Sequence, residues 1–360
     1  MTTSAVSVLC GLLLVTSCGS PPPAAYVVEN EQAQAAKVKG EHAVAAQHYE
    51  RAATLASKPR DAEEARYRAA DSYARAGDTA RAEALYQKLA AQGPDAERSA
   101  RADFALAALF CKTGREPEGQ QRLALAIRRS PDSGLAREAL TEHVAYLRQQ
   151  GGSAAVLAYL TTESAQLSAT ELGESLAYQR ARELDLAGRS VEARDAYLAC
   201  AARFPYPVGA YWDDALFRAA EKELALGAPE KALEHLRRML AEQESAIITG
   251  SYQRGRYAEA QLKIAEVYRD VLHDPARARR ELRKVWDNHP TSRLVDDALF
   301  QEALLARSEG DDAGTCTPLS IIVKKLPESR YAACAHLLCA SLAARPDACH
   351  EYIKRAAGLP

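Results

Sequence analysis

Aromatic residues are scarce in this chain of 360 residues. They make up 6% of it, with two tryptophans and five phenylalanines, and methionine occurs only twice. So small a stock of large side chains excludes a core of interdigitating rings, yet hydrophobic residues still reach 48%. Alanine makes up much of the difference, as in helices that approach one another closely. Excess charge of either sign is also missing. Lys and Arg number 46 against 48 Asp and Glu, a net charge of -2, which excludes the basic field of a nucleic-acid binder and an acidic tail. After residue 17 no long hydrophobic run follows, hence no membrane-spanning helix in the body of the chain. Catalytic motifs are lacking as well: there is no G-x-x-x-x-G-K-[ST], no H-E-x-x-H and no G-x-S-x-G, and the eight histidines are scattered. Without such patterns no enzymatic activity, cofactor or metal is expected.

What the chain does have is a register of glycines. Gly40, Ala45, Tyr49 and Ala52 recur as Gly77, Ala82, Tyr86 and Leu89, as Gly114, Gly119, Leu123 and Ala126, and as Gly188, Ala193, Tyr197 and Cys200, with a degenerate copy at Gly151. These five glycines stand 37 residues apart, and self-similarity at such a fixed period means stacked supersecondary units. The register continues at Gly227, near His273, at Gly310 and at Ala344, at intervals of 39, 46, 37 and 34. Each unit reads as helix A, a glycine turn, helix B and a proline-marked turn. The glycine stands where the chain leaves helix A with a positive φ. Seven residues before it come Ala70, Ala107, Val144, Ala181, Ala220 and Ala303, and four before it Tyr73, Phe110, Leu147 and Leu184. In the copy that lacks glycine, Ala265 and Tyr268 place the turn at 272 and not 273. That offset predicts a one-residue insertion between the two helices and a distorted turn at His273. The stretch 241–256, AEQESAIITGSYQRGR, is expected to be a longer loop or an extended helix end.

This arrangement resembles the tetratricopeptide repeat over residues 27–357. The resemblance implies an all-α fold, a right-handed α-solenoid of about nine helix hairpins, with an irregular junction at 241–290 and a cysteine-rich cap at 310–357. The junction segments FPYPVGAYWDDALFRAA (204–220), HPTSRLVDDALFQEA (289–303) and LPESRYAACAHLLCA (326–340) are similar to those of envelope lipoproteins and periplasmic coordinators of the BamD and CpoB type.

The N-terminus reads as targeting sequence. After MTTS, which carries no Lys or Arg, the uncharged stretch AVSVLCGLLLVTS leads into Cys18, too short to span a bilayer comfortably. Val15-Thr16-Ser17-Cys18 resembles the lipobox of bacterial lipoproteins. The resemblance implies that residues 1–17 are a signal peptide, that Cys18 carries the lipid, and that 18–26, with Pro21, Pro22 and Pro23, form a stiff tether. It further implies a palmitate-bearing protein anchored in the outer membrane and facing the periplasm. Gly19 in place of Asp after the cysteine agrees with the outer membrane.

Ten residues before the turn glycines stand Tyr67, Phe104, Tyr178, Phe217 and Phe300. They form either an aromatic ladder in a peptide groove or packing between successive A helices, the commoner use of rings at helical spacing. On the helix at 274–286, Arg277, Arg280 and Lys284 share the face opposite Ala278, Leu282 and Val285. They form either a surface for an anionic partner or a solvated face. The acidic pairs Asp213–Asp214 and Asp296–Asp297 precede helix A and are expected to serve the helix N-terminus rather than catalysis. Cys200 takes the small core position and is expected to be a buried thiol, while Cys111 has no partner near in sequence. Cys316, Cys334, Cys339 and Cys349 cluster in the last 45 residues and suggest one or two disulfides in an oxidising compartment. Cys316 with Cys339 is the first pairing to consider among three connectivities. A metal site from Cys334, His336, Cys339, Cys349 and His350 is the alternative. The expected function is a non-enzymatic scaffold that binds proteins or peptide segments and supports envelope or outer-membrane protein assembly; regulation of peptidoglycan enzymes, or a pilotin role in secretin assembly, is the alternative.

Overall fold

A computed structural model of the chain describes residues 21–91, 97–242, 244–246, 250–252 and 254–359. The expected signal peptide and Cys18 lie outside the described residues. Two compact units, Met1–His143 and Val144–Pro360, divide the chain.

In the first unit the helices are α1 (Ala24–Val38), α2 (His42–Leu55), α3 (Pro59–Ala76), α4 (Thr79–Ala90), α5 (Glu97–Lys112) and α6 (Glu116–Arg129), and α7 (Ala136–Leu167) starts within it. Helix α1 begins at Ala24 directly after Pro23, so the tether expected over 18–26 gives up its last residues to the first repeat. Each helix packs on its sequence neighbours, α1 on α2, α2 on α3 and so on to α6. Ala45, Ala69, Ala70, Ala82 and Ala102 are wholly buried at these contacts, where a missing γ-carbon lets two backbones draw together. One turn shows how the sequence writes the hairpin. Pro59 starts α3 at a position where its absent N–H costs nothing. Gly77 ends it with φ 82°, and the Asp78 amide donates back to the Tyr73 carbonyl at 3.0 Å. The Asp78 carboxylate then caps α4 by accepting from the Arg81 amide at 3.2 Å.

The second unit continues with α8 (Gly173–Leu186), α9 (Ser190–Arg203), α10 (Trp212–Ala225), α11 (Pro229–Ala241), α12 (Tyr257–Glu266), α13 (Pro275–Asn288), α14 (Val295–Ser308), α15 (Asp312–Lys325) and the short α16 (Ala335–Leu338) and α17 (Glu351–Ala356). Its core has one cluster around Tyr197, Trp212, Leu216, Leu236 and Tyr257 and another around Leu282, Val285, Leu299, Phe300 and Ile322. Helix α7 is broken at Gly151 and Gly152; the positive φ, 63°, falls on Gly152 and not on Gly151, so this copy is shifted by one residue from the expected register.

The junction near 272 differs from expectation in an instructive way. A π-helical turn, Val267–Val271, continues α12, and the Leu272 amide donates to the Val267 carbonyl at 3.0 Å. The extra residue is therefore absorbed inside helix A, not between the helices. After it the turn is regular in form: His273 takes φ 50°, the left-handed conformation that glycine holds elsewhere. The closing bond reaches one residue further than at Gly77, from the Asp274 amide to the Tyr268 carbonyl at 2.8 Å. Before it, 241–256 is neither loop nor helix alone. It contains two three-residue strands, β1 (Glu244–Ala246) and β2 (Gly250–Tyr252), paired antiparallel.

Among the described residues, eight helix hairpins are complete and the ninth is not. Residues 332–338 form one turn of 3-10 helix followed by α16, and 339–350 carry no helix. The bridges Cys316–Cys339 and Cys334–Cys349 join this segment to itself and to α15. Pro346 and three bridged cysteines between Cys334 and Cys349 leave no length for a second long helix.

Candidate functional site

Four of the five recurring aromatic residues are buried. Phe104, Tyr178, Phe217 and Phe300 are 7, 8, 5 and 4% exposed. Tyr178 stacks on Tyr211 at 4.3 Å between centroids and Phe300 on Tyr331 at 4.1 Å, while the Arg256 guanidinium covers the Phe217 ring at 4.9 Å. In each case the partner enters the next hairpin. Tyr178, Phe217 and Phe300 thus bind one repeat to the following one, since a planar partner buries both faces of a ring that a single helix pair leaves half open.

Tyr67 alone of the five is half-buried. Arg101 lies over it at 4.3 Å, and its ring meets Tyr86 at 5.7 Å, tilted by 59°. Tyr67, with the buried Tyr86 behind it, walls a cavity of about 570 Å³ between α3, α4 and α5. Half-buried Ala74, Ala105 and Ala108 line it beside Leu109. Asp71, Arg75 and Lys112 supply the charged part of its lining. Asp71 is already engaged by Arg75 at 3.0 Å and by Lys37 at 3.4 Å, whereas Lys112 has no carboxylate partner among the described residues. Burial pushes both phenols above their ordinary range, with Arg101 opposing the rise at Tyr67; they stay neutral at physiological pH. The cavity thus offers an apolar trough of small side chains, the Tyr67 ring as an aromatic wall and, among the described residues, an unpaired Lys112.

Two segments match a family model for the tetratricopeptide repeat, residues 64–96 and 259–292. They cover the α3–α4 and α12–α13 hairpins. These two hairpins are tetratricopeptide-like in sequence. No curated protein matches it. Among solved structures, the C-terminal part of a tetratricopeptide-repeat protein from Cytophaga hutchinsonii is 12% identical, with a TM-score of 0.44 over 75% of this chain and 98% of that one. A tetratricopeptide-repeat protein from Parabacteroides merdae is 11% identical, with a TM-score of 0.33 over 76% and 97%. PilF of Pseudomonas aeruginosa is 15% identical, with a TM-score of 0.40 over 65% and 95%. At these values the neighbours assign no function.

The basic residues of this repeat protein are only partly free. Arg277, Arg280 and Lys284 are exposed on α13. Arg277 pairs with Asp274 at 3.2 Å and Lys284 with Glu281 at 3.0 Å, and Arg277 also lies over the Tyr268 ring at 5.5 Å. Arg280 is left without an ion pair among the described residues. The neighbouring Arg279 and Arg283 turn toward the next hairpin, bonding Glu309 and Asp311, and Glu302, respectively.

The acidic pairs stand in first helical turns, as expected, but they also latch repeats together. Asp296 accepts from the Ser329 hydroxyl at 2.8 Å, and Asp297 from the Tyr331 phenol at 2.5 Å and from Arg330. Asp213 pairs with Arg254 at 3.3 Å, and Asp214 with Arg256 and the Tyr178 phenol. Buried carboxylates are paired as well, within a hairpin at Asp103 and between hairpins at Glu183. Asp103 holds Arg122 at 2.5 Å and Arg129 at 3.0 Å, and Glu183 holds Arg148 at 2.5 Å. Such pairs neutralise charge between helices.

Cys200 is a buried free thiol, pushed up to about 12 by burial, and Cys111 is free and half-buried. Cys316 joins Cys339, and Cys334 joins Cys349. With all four sulfurs bridged, the alternative metal set loses its thiolate ligands. Sequence reasoning missed Ala74, Ala105, Ala108 and Lys112. Their one signal was small residues on helix A at positions outside the buried register, a pattern that alanine-rich helices also show where they simply face water.

Proposed function

We propose that this protein is a tetratricopeptide-repeat scaffold that takes an extended segment of a partner protein in the trough between α3 and α5. The observation that carries this is the coincidence of half-buried alanines, the Tyr67 ring and Lys112, unpaired among the described residues, in one cavity. Small floor residues admit a backbone or an apolar side chain, Tyr67 supplies ring surface, and Lys112 selects a carboxylate. With the partner segment identified by crosslinking, its affinity for the intact protein is expected to fall at least tenfold in Lys112→Glu and in Ala108→Trp. Equal affinity in both variants would move the site elsewhere.

The scaffold acts, in this account, as an outer-membrane lipoprotein facing the periplasm and supporting envelope assembly. Support comes from the V-T-S-C sequence at Cys18, from the junction segments similar to those of BamD- and CpoB-type proteins, and from two disulfides, which persist outside a reducing cytosol. Globomycin-sensitive processing and palmitate labelling test the anchor. A Cys18→Ala protein that still takes up label would refute it.

A further inference from the structure

We propose that the Cys334–Cys349 bridge is a thiol-exchange site that opens and closes the C-terminal cap. Each bridge joins a buried cysteine to a half-buried one, Cys349 in one and Cys316 in the other, and the two differ in what lies before the half-buried sulfur. A cavity of about 710 Å³ at the cap has Cys349 in its wall, and none of the other three bridged cysteines. Cys334 and Cys339 are 0 and 2% exposed. Over the Cys316–Cys339 bridge lies the Ser341 hydroxyl, 3.0 Å from the Cys339 sulfur and 3.8 Å from that of Cys316. An attacking sulfur therefore reaches Cys349 first. The cavity walls carry Arg330, Arg345 and His350 against Glu328, Asp347 and Glu351. Charge of both signs means that access, not electrostatic attraction, selects the bridge, and the fitting reactant is a small thiol or an exposed thiol of a protein.

The exchange proceeds in two steps. A thiolate attacks the Cys349 sulfur; a mixed disulfide forms, the Cys334–Cys349 bond breaks, and its electron pair leaves on the Cys334 sulfur, which takes a proton. A second thiolate attacks the external sulfur of the mixed disulfide, releasing Cys349 as thiolate. Two external thiols are oxidised to one disulfide and the cystine is reduced to two cysteines. What moves is set by the fold. Residues 343–349 carry no helix, and among the described backbone bonds outside helices none is donated by them. The bridge is the tie that holds this stretch against Cys334, so reduction frees it while α14 and α15 keep their own packing.

The test uses the full chain with Cys111 and Cys200 blocked beforehand, dithiothreitol as the thiol, and alkylation mapped by mass spectrometry. Cys334 and Cys349 are expected to be alkylated at least tenfold faster than Cys316 and Cys339. Hydrogen exchange of the singly reduced protein should quicken in 340–350 and stay unchanged in α14 and α15. Ala348→Trp, an exposed substitution in the cavity wall, should slow opening of Cys334–Cys349 at least threefold and leave the other bridge untouched. Equal rates for the two bridges, earlier opening of Cys316–Cys339, an Ala348→Trp protein with wild-type rates, or exchange spreading into α15 would each overturn the proposal.

Discussion

The stack of Phe300 on Tyr331 makes a quantitative claim about what joins two hairpins. Phe300 is 4% exposed and its ring lies 4.1 Å from that of Tyr331, whose phenol donates to Asp297 on the same helix as Phe300. Removing the Phe300 ring by Phe300→Ala costs about 3–5 kcal/mol from transfer and cavity terms together. That total does not isolate the stack. A double-mutant cycle of Phe300→Leu and Tyr331→Leu does, because leucine keeps most of the apolar volume and removes the planar contact. The expected coupling is about 0.5–1.5 kcal/mol. Equilibrium urea unfolding followed by Trp212 and Trp286 fluorescence reports on this unit, since both tryptophans lie in it. Additivity to within about 0.3 kcal/mol would refute the claim that ring stacking couples the repeats and would return these aromatics to ordinary side-chain burial.

Four further substitutions have definite expected outcomes. Glu64 is held below the ordinary carboxylate range: burial opposes this, and Arg68, Arg101 and Arg98 outweigh it. Its contribution is therefore complete above the unfolded pKa of about 4.3 and lost as pH falls through the lower folded value; Glu64→Gln should flatten the urea midpoint between pH 3 and 5. At the turns, Gly310→Ala should cost about 1–2 kcal/mol because φ there is 73°. His273→Gly should stabilise slightly, by about 0.5 kcal/mol, the relieved strain exceeding the added chain entropy; thermal melts of the two proteins should shift in opposite directions. Arg283→Ala leaves Glu302, 7% exposed and already raised by burial, without its bidentate partner. A loss of about 3 kcal/mol is expected at neutral pH, and it should shrink as pH is lowered and the native carboxyl takes a proton.

The repeat architecture was legible because it rests on backbone geometry that few residues satisfy. Gly40, Gly77, Gly114, Gly188, Gly227 and Gly310 all hold positive φ, and a period of glycines reports that directly. The one-residue offset at Tyr268 was visible too, but its resolution was not: a π turn and a shift between helices leave the same count of residues, and hydrogen bonding within the helix decides. The ninth hairpin failed for a related reason. Its register from Ala344 to Ala356 is intact in sequence, yet the bridges Cys316–Cys339 and Cys334–Cys349 and Pro346 override helical periodicity. The aromatic ladder was correct in position and undecided in role, because spacing along helix A cannot tell a ring facing a groove from one facing the next hairpin. Tyr211, Arg256 and Tyr331 settle that, and they lie in the following unit. The candidate site itself was nearly silent, since half-buried alanines carry no mark distinguishing a trough from plain surface.

Photo-crosslinking tests the binding account most directly. A benzoylphenylalanine placed at Ala108 in the intact protein, irradiated in its native cells, is expected to capture a partner protein, and the same group at Arg280 on α13 is expected to capture it at less than a tenth of that yield. Equal capture from both positions, or capture from Arg280 alone, would contradict a binding trough between α3 and α5.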